Sequence, residues 1–227
     1  QDTGTIICYA DLPAWCDEHI FRKAYERAVV QATKVGYLRQ NSVDSITGEN
    51  SGTNLGPGSP SFHFHAVRGR VLRVRMMLKG GGCENVGAQY TLPDTRLGAG
   101  RDLAGVRKVT LDAVQKAQGK GCSPGILGIA IGGDRGSSFA ASKETLLRQL
   151  DDSNSSPELD RLEQRLTEES NQLGIGPMGF GGKTTVLGTK IKATHRLPAS
   201  YFVSVSYMCC AYRRRRMTVA GDQISYQ

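Results

Sequence analysis

The chain has 227 residues, of which 39% are hydrophobic and 22% are charged, and its formal net charge is +8. This composition is ordinary for a globular protein and excludes extended disorder, and no apolar run approaches the roughly 18 residues of a membrane span. Four consecutive arginines, residues 213–216, supply half of the excess positive charge. Charge this local disfavours a broad nucleic-acid-binding face.

The first third of the chain predicts a strand, a helix, a long loop and a pair of strands. Residues 1–10 are β-like and apolar, and Asp17 is a candidate N-cap for a helix that follows over residues 17–38. Residues 39–61 form a polar loop rich in Gly, Ser, Asn and Pro, and a loop of this length is either disordered or functional. Residues 61–67 and 70–78 predict paired strands. The apolar face of the helix is predicted at Ile20, Ala24, Ala28 (or Arg27) and Val35.

The rest of the chain mixes helices and strands without strict alternation. The pattern predicts helices over 101–118, 137–150 and 156–174, the last with Ser156 at its N-cap and Pro157 at its first position. It predicts strands over 125–133, 184–194 and 201–212, and a closing hairpin over 217–226. The expected fold class is therefore α+β, with mixed sheets and packed helices in one domain over residues 1–227.

The six cysteines show neither zinc-finger spacing nor a CxxC motif, and a chain of this size does not need disulfides. We therefore expect a reduced, cytoplasmic setting. Cys122 precedes the strand predicted at 125–133, and Cys209 lies near the end of the strand predicted at 201–212. Each is either a buried thiol or a ligand, and thiols at two strand ends suit an iron–sulfur cluster whose ligands come from distant loops.

Three glycine clusters, at residues 79–85, 128–134 and 174–185, match neither a P-loop nor a dinucleotide-binding fingerprint. Their glycines serve either as tight turns or as sites where backbone N–H groups approach an anion. Structural roles are favoured for His63 and His65, which alternate on one strand face with no third ligand nearby in the sequence. His195 is either an acid–base group or a loop histidine.

Six motifs in order resemble those of the class I fumarate hydratases and their relatives, the L-tartrate dehydratases. They are QDTG at 1–4, GYLR at 36–39, KGGGCEN at 79–85, GCSPGILGIAIGG at 121–133, LGIGPMGFGGKTT at 173–185 and CCAYRRR at 209–215. The similarity covers essentially the whole chain and corresponds to the alpha subunit, or N-terminal domain, of that iron–sulfur hydro-lyase family.

The resemblance implies a [4Fe–4S] cluster held by three cysteines. It assigns Cys122 and Cys209 as two ligands and places the third just upstream of Gln1, so we expect a missing N-terminal segment and do not exclude organellar targeting. Cys8 and Cys83 are poorly placed substitutes, and Cys83 is expected beside the ligands rather than among them.

The resemblance also implies substrate contacts from Gln1, Asp2 and Arg39 and from the backbone of Gly81 or Gly82. An arginine fork matches a carboxylate, and a carboxylate such as Asp2 can assist proton transfer. The implied activity is the reversible hydration of fumarate to L-malate, with an open cluster iron as Lewis acid. A separate beta subunit would supply the remaining contacts in an α2β2-type assembly, without membrane or nucleic acid.

Three alternatives remain open. The chain is equally compatible with an L-tartrate dehydratase alpha subunit, which would yield oxaloacetate. It could instead be a subunit without a cluster that only binds a partner or an anion. A nucleic-acid binder using residues 213–216 is the weakest alternative, and it predicts salt-sensitive retention on DNA.

Overall fold

The computed structural model describes residues 3–227, which form two compact units. Unit 1 comprises the chain up to Gly81 together with Tyr212–Gln227, and unit 2 comprises Gly82–Ala211. Helices and mixed sheets occur in both units, which confirms the α+β class. The single domain over residues 1–227 stays a prediction. Within residues 3–227, no helix combines the length and apolarity needed to cross a membrane.

Unit 1 contains a five-stranded sheet and one long helix, α1 (Glu18–Lys34). Its strands are β1 (Thr5–Pro13), β2 (Ser61–Val67), β3 (Leu72–Lys79), β8 (Arg213–Ala220) and β9 (Gln223–Tyr226). Their order across the sheet is β2-β1-β3-β8-β9, with β1 and β2 parallel and the other pairs antiparallel. The arginine run is thus part of a strand that pairs with β3 along its length.

The N-cap of α1 is confirmed, but its predicted apolar face is wrong. Asp17 accepts a hydrogen bond from the backbone N–H of Ile20 at 2.9 Å, as an N-cap should. The packed face instead contains Phe21 and Tyr25, each one residue after a position predicted to be buried. These large rings bury more apolar surface against the sheet than alanine side chains can. The four residues predicted to be inside are all exposed, namely Ile20, Ala24, Ala28 and Val35.

Unit 2 contains a four-stranded sheet in the order β4-β7-β5-β6. Its strands are β4 (Ala88–Thr91), β5 (Gly125–Ile131), β6 (Val186–Ala193) and β7 (Phe202–Cys209). Its helices are α3 (Leu103–Ala117), α4 (Arg135–Thr145) and α5 (Pro157–Gln172), and a short helix α2 (Gly81–Asn85) begins at the unit boundary. The helix and strand predictions for this part of the chain are confirmed within a few residues, including the Ser156 cap of α5.

A buried carboxylate joins α5 to the sheet of unit 2. Glu163, only 4% exposed, accepts hydrogen bonds from Arg148 Nη1 at 2.6 Å, Asn154 Nδ2 at 2.7 Å and the backbone N–H of Ile191 at 2.6 Å. The Lys190 ammonium lies 3.8 Å away. A charge buried in this way is stable only while its partners remain in place.

Replacing Glu163 by Gln should therefore destabilise the protein, because the shape is kept while two cations lose their buried counter-charge. We expect a loss of about 3 kcal/mol in the free energy of unfolding, measured by urea denaturation. The matched control is Glu168→Gln on the exposed side of the same helix, which should change stability by no more than about 0.5 kcal/mol. Equal effects of the two substitutions would contradict a structural role for the Glu163 charge.

Candidate functional site

In unit 1, the start of β1 lies directly against the end of β3. Thr5 pairs with Lys79 in the antiparallel register of these strands. Gly4 has φ +76°, and a Cβ there would come within 2.3 Å of the Lys79 carbonyl oxygen. Only glycine fits so close an approach at this φ. Gly4 of the QDTG motif and Lys79 of the KGGG motif, far apart in the sequence, are therefore neighbours in the fold.

The backbone of Arg39 is joined to the same place by three hydrogen bonds. Its N–H donates to Thr3 Oγ1 at 2.6 Å, and its carbonyl accepts from the Thr3 hydroxyl at 3.0 Å and from Asn54 Nδ2 at 2.9 Å. Asn54 is 2% exposed and also accepts from the Asn41 N–H at 2.7 Å. The long polar loop is thus an ordered segment that holds Arg39 of the YLR motif against Thr3.

A cavity of about 720 Å³ in unit 1 opens beside these motifs. Among its lining residues are Thr3, Tyr37, Arg39, Leu78 and Arg213. Two arginines among the lining residues give the cavity a positive character suited to a carboxylate. Sequence reasoning assigned Arg39 but missed Thr3, Asn54 and Arg213. Thr3 and Arg213 had a signal in the sequence, their places inside the QDTG and CCAYRRR motifs, whereas Asn54 had none.

In unit 2, the pairing of β5 with β7 brings the two predicted cysteine ligands to one end of the sheet. Gly125, the first residue of β5, is opposite Cys209, the last residue of β7. Cys122 lies three positions before Gly125, in a left-handed conformation with φ +59°. Glycine would adopt this conformation at lower cost, so the position indicates a need for the thiol. Cys122 and Cys209 are both partly exposed.

A third thiol connects these two segments. Cys83, on α2, is 2% exposed; its Sγ donates to the Gly121 carbonyl at 3.4 Å and accepts from the Cys209 N–H at 3.2 Å. The helix that carries it is anchored by an ion pair between Glu84 and Lys143 of α4. Cys83 therefore lies beside Cys209 and the segment of Cys122, and its place beside cluster ligands stays a prediction.

Glycine keeps the space around Cys122 open. A Cβ on Gly82 would meet the Lys120 carbonyl oxygen at 3.2 Å and Cys122 Sγ at 3.8 Å. Gly82 therefore faces the thiol with backbone alone, so that a ligand there could be approached closely. Gly81, the other glycine assigned to the substrate, is the last residue of that stretch of unit 1.

Tyr207 lies under the Cys122 segment. Burial first, and then the neighbouring thiols of Cys83, Cys209 and Cys122, raise the pKa of the Tyr207 phenol well above its usual range. A phenol with so high a pKa keeps its proton and acts as a donor. Tyr207 was not singled out in the sequence, although its place two residues before Cys209 puts both on one face of β7.

Of the remaining predicted groups, the described ones are Cys8, His63, His65 and His195, and none of them lines the unit 1 cavity. Cys8 is fully buried in the middle of β1, where burial raises the pKa of its thiol to about 12, so it is unsuited to bind metal. His63 stacks on Tyr9 with 4.5 Å between ring centroids, and His65 Nδ1 lies 3.2 Å from an Asp11 oxygen. His195 lines a cavity in unit 2. Gln1 and Asp2 lie outside the described residues.

The cysteine-bearing end of unit 2 suits a soft metal centre. Thiolates bind iron–sulfur clusters and other soft metals. Within residues 3–227, no group of three His, Cys, Asp or Glu side chains is arranged to hold a metal ion, and all six cysteines are free thiols. The two partly exposed thiols, the glycine gap beside one of them and the buried phenol nearby together fit a cluster bound by Cys122 and Cys209.

The chain is thus an α+β protein in which unit 1 contains an arginine-lined cavity and unit 2 carries two cysteines at one end of its sheet. The family model described as Fumarate hydratase (Fumerase) matches residues 1–218, and the chain belongs to this family. The resemblance in the motifs is thereby confirmed.

Relatives bear names from both branches of the family. The "Putative fumarate hydratase class I" of Geobacillus stearothermophilus is 51% identical over 94% of this chain. The "Putative L(+)-tartrate dehydratase subunit alpha" of Methanocaldococcus jannaschii is 32% identical over 94% of the chain, and the L(+)-tartrate dehydratase subunit alpha of Escherichia coli K12 is 28% identical over 98%. The chain spans 42% of the length of the Geobacillus protein, and 75% and 72% of the other two.

The role of hydrogen bonds in fixing the Arg39 backbone can be tested by substituting Asn54. Replacing Asn54 by Ala removes buried hydrogen bonds to Arg39, Asn41 and Thr33, each worth about 1 kcal/mol. Residues 39–54 should then exchange amide hydrogens at least about tenfold faster, measured by mass spectrometry. The control Ser45→Ala, at an exposed position of the same loop, should leave exchange unchanged. Unchanged exchange in Asn54→Ala would contradict this account of the loop.

Proposed function

We propose that this chain is the alpha part of a [4Fe–4S] hydro-lyase that reversibly hydrates fumarate to L-malate. The observation that carries the proposal is the register of β5 and β7, which gives Cys122 and Cys209 a common position at one sheet end. Family membership supports the hydro-lyase class. The third ligand is the cysteine that the resemblance places before Gln1.

The residues of the chain divide the task of binding a dicarboxylate. Arg39 would form the paired hydrogen bonds of a guanidinium with one carboxylate, and Thr3 and Asn54 fix its backbone for that purpose. Arg213, on the wall of the same cavity, adds positive charge. Backbone N–H groups at Gly81 or Gly82 would donate to a further substrate oxygen, where a side chain would obstruct the approach.

The chemical step requires a polarised hydroxyl and a proton transfer at carbon. When bound, the cluster supplies a Lewis-acidic iron for the substrate's hydroxyl and carboxylate. Cys122 and Cys209 would hold it, and Asp2 would orient water or assist the proton transfer, together with Gln1 at the substrate. The names of two relatives include "subunit alpha", which supports a beta subunit that brings the remaining contacts and the base in an α2β2-type assembly.

Fumarate is favoured over tartrate as substrate by the comparisons. The relative with 51% identity is named for fumarate, whereas those named for tartrate are 28–32% identical. Both substrates are four-carbon dicarboxylates, so the residues that bind a carboxylate cannot distinguish them. Discrimination must come from contacts to the extra hydroxyl group of tartrate.

Cluster binding is tested by substituting cysteines one at a time. Anaerobically reconstituted full-length wild-type protein should contain close to four irons per chain, and Cys122→Ser and Cys209→Ser should each lose most of that iron and the visible absorption. A hard serine oxygen is a poor substitute for a thiolate here. The measurement is iron and sulfide analysis together with the visible spectrum.

The matched control for this experiment is Cys210→Ser. Cys210 is the exposed neighbour of Cys209 and has no assigned role, so its variant should retain the cluster. Wild-type protein without iron would overturn the proposal and favour a binding subunit. Equal iron loss in Cys210→Ser would show that the loss reflects general damage to this strand end.

Substrate choice is tested on the assembled enzyme with L-malate and L-tartrate side by side. We expect the higher kcat/KM for L-malate. Arg39→Gln should lower kcat/KM for both substrates by about 100-fold, equivalent to about 2.7 kcal/mol, because each loses the same carboxylate contact. Arg215→Gln, at an exposed position of β8, is the control and should leave both values unchanged. A preference for L-tartrate would reassign the chain to the other branch.

A further inference from the structure

Tyr207 occupies a closely fitted position beneath the Cys122 segment. A Cβ on Gly121 would come within 2.7 Å of its ring, and a Cβ on Gly125 within 2.1 Å of its Cζ atom. The backbone on both sides of Cys122 is therefore packed directly on the phenol, and glycine is required at both positions for this contact. The ring is held in place from two sides, so its hydroxyl has a defined position.

Tyr207 is only 2% exposed, and its hydroxyl is buried. Among residues 3–227, this hydroxyl has no hydrogen-bond partner. The Ser123 hydroxyl lies close to it but donates its own proton to the Gly176 carbonyl at 2.7 Å. A buried hydroxyl without a partner costs free energy, and proteins rarely keep one without a reason. Phenylalanine would fill the same space without this cost.

Three thiols lie on the segments that pack around this phenol. The Tyr207 ring packs against the residues on both sides of Cys122, and Cys209 follows two positions later on the same face of β7. Cys83 is already engaged with the Gly121 carbonyl and the Cys209 N–H, so among the thiols the sulfurs of Cys122 and Cys209 are the candidate acceptors, beside the Ser123 hydroxyl oxygen. Thiolate sulfur in an iron–sulfur centre accepts hydrogen bonds, and these tune the centre.

We propose that Tyr207 is a positioning residue that donates a hydrogen bond to a cluster-ligating thiolate, Cys122 or Cys209, and so sets the cluster's reduction potential. This inference rests on the proposed function, since it needs the cluster. A hydrogen bond to a thiolate offsets negative charge and stabilises the reduced state of the centre. Removing it makes the cluster harder to reduce.

The proposal predicts one effect of Tyr207→Phe on the thermal midpoint without the cluster and another on the reduction potential with it. In the protein without iron, Tyr207→Phe should leave the thermal midpoint unchanged or raise it, because an unsatisfied buried hydroxyl disappears. In the loaded protein, the same variant should shift the reduction potential to more negative values. A hydroxyl with a purely structural role would instead lower the midpoint without iron and leave the potential unchanged.

The experiment uses the full-length assembled protein, reconstituted anaerobically, as wild type, Tyr207→Phe and Tyr201→Phe. Tyr201 is a matched control, since it is a buried tyrosine of unit 2 whose charged neighbours are Arg196 and Asp102 rather than thiols. Potentials are measured by a redox titration followed by electron paramagnetic resonance, and thermal midpoints by circular dichroism. Only Tyr207→Phe should shift the potential.

The outcomes separate this inference from the proposed function. A full cluster in the wild type with an unchanged potential in Tyr207→Phe would overturn the inference and leave the hydro-lyase proposal standing. An equal shift in Tyr201→Phe would also overturn it, because the effect would not be specific to the thiols. Wild-type protein that takes up no iron would overturn both.

Discussion

The antiparallel pairing of β5 and β7 is the constraint on which the candidate metal centre depends. Antiparallel register places the start of one strand beside the end of the other, so residues distant in the sequence meet at a single sheet end. The side chains on one face of β7 then have fixed neighbours, with Cys209 at the edge and Tyr207 two residues inward. A slip of one residue would turn both away from Cys122, and the packing of the Tyr207 ring on Gly121 and Gly125 opposes such a slip.

In unit 1, hydrogen bonds rather than strand register bring a candidate site residue, Arg39, to its position. A flexible arginine side chain gains precision when its backbone is fixed, because only the side-chain torsions then remain to be ordered on binding. Thr3 and Asn54 provide that fixed backbone at Arg39. The polar residues of the long loop are explained by this role, since they satisfy backbone groups that a loop cannot pair with itself.

The sequence was sufficient to predict those features that depend on residues close to one another along the chain. The caps of α1 and α5, at Asp17 and Ser156, depend on neighbours three residues away and were predicted. The packed face of α1 was not predicted correctly. Helical spacing alone is compatible with several apolar faces, and the large side chains of Phe21 and Tyr25 determine which face packs on the sheet. The motifs identified the cysteines, but the places of Asn54 and Tyr207 depend on contacts between distant segments, for which a single sequence carries no signal.

The division of unit 1 into two stretches of sequence has a consequence for synthesis on the ribosome. Unit 2 is one continuous segment, so all of its strands emerge from the ribosome before Tyr212 emerges. The sheet of unit 1 must wait for β8, which pairs with β3 in the interior of the strand order. Until then β3 presents an unpaired edge, the kind of surface that invites association with other nascent chains. The arginines of β8 then pair with β3 and close that edge.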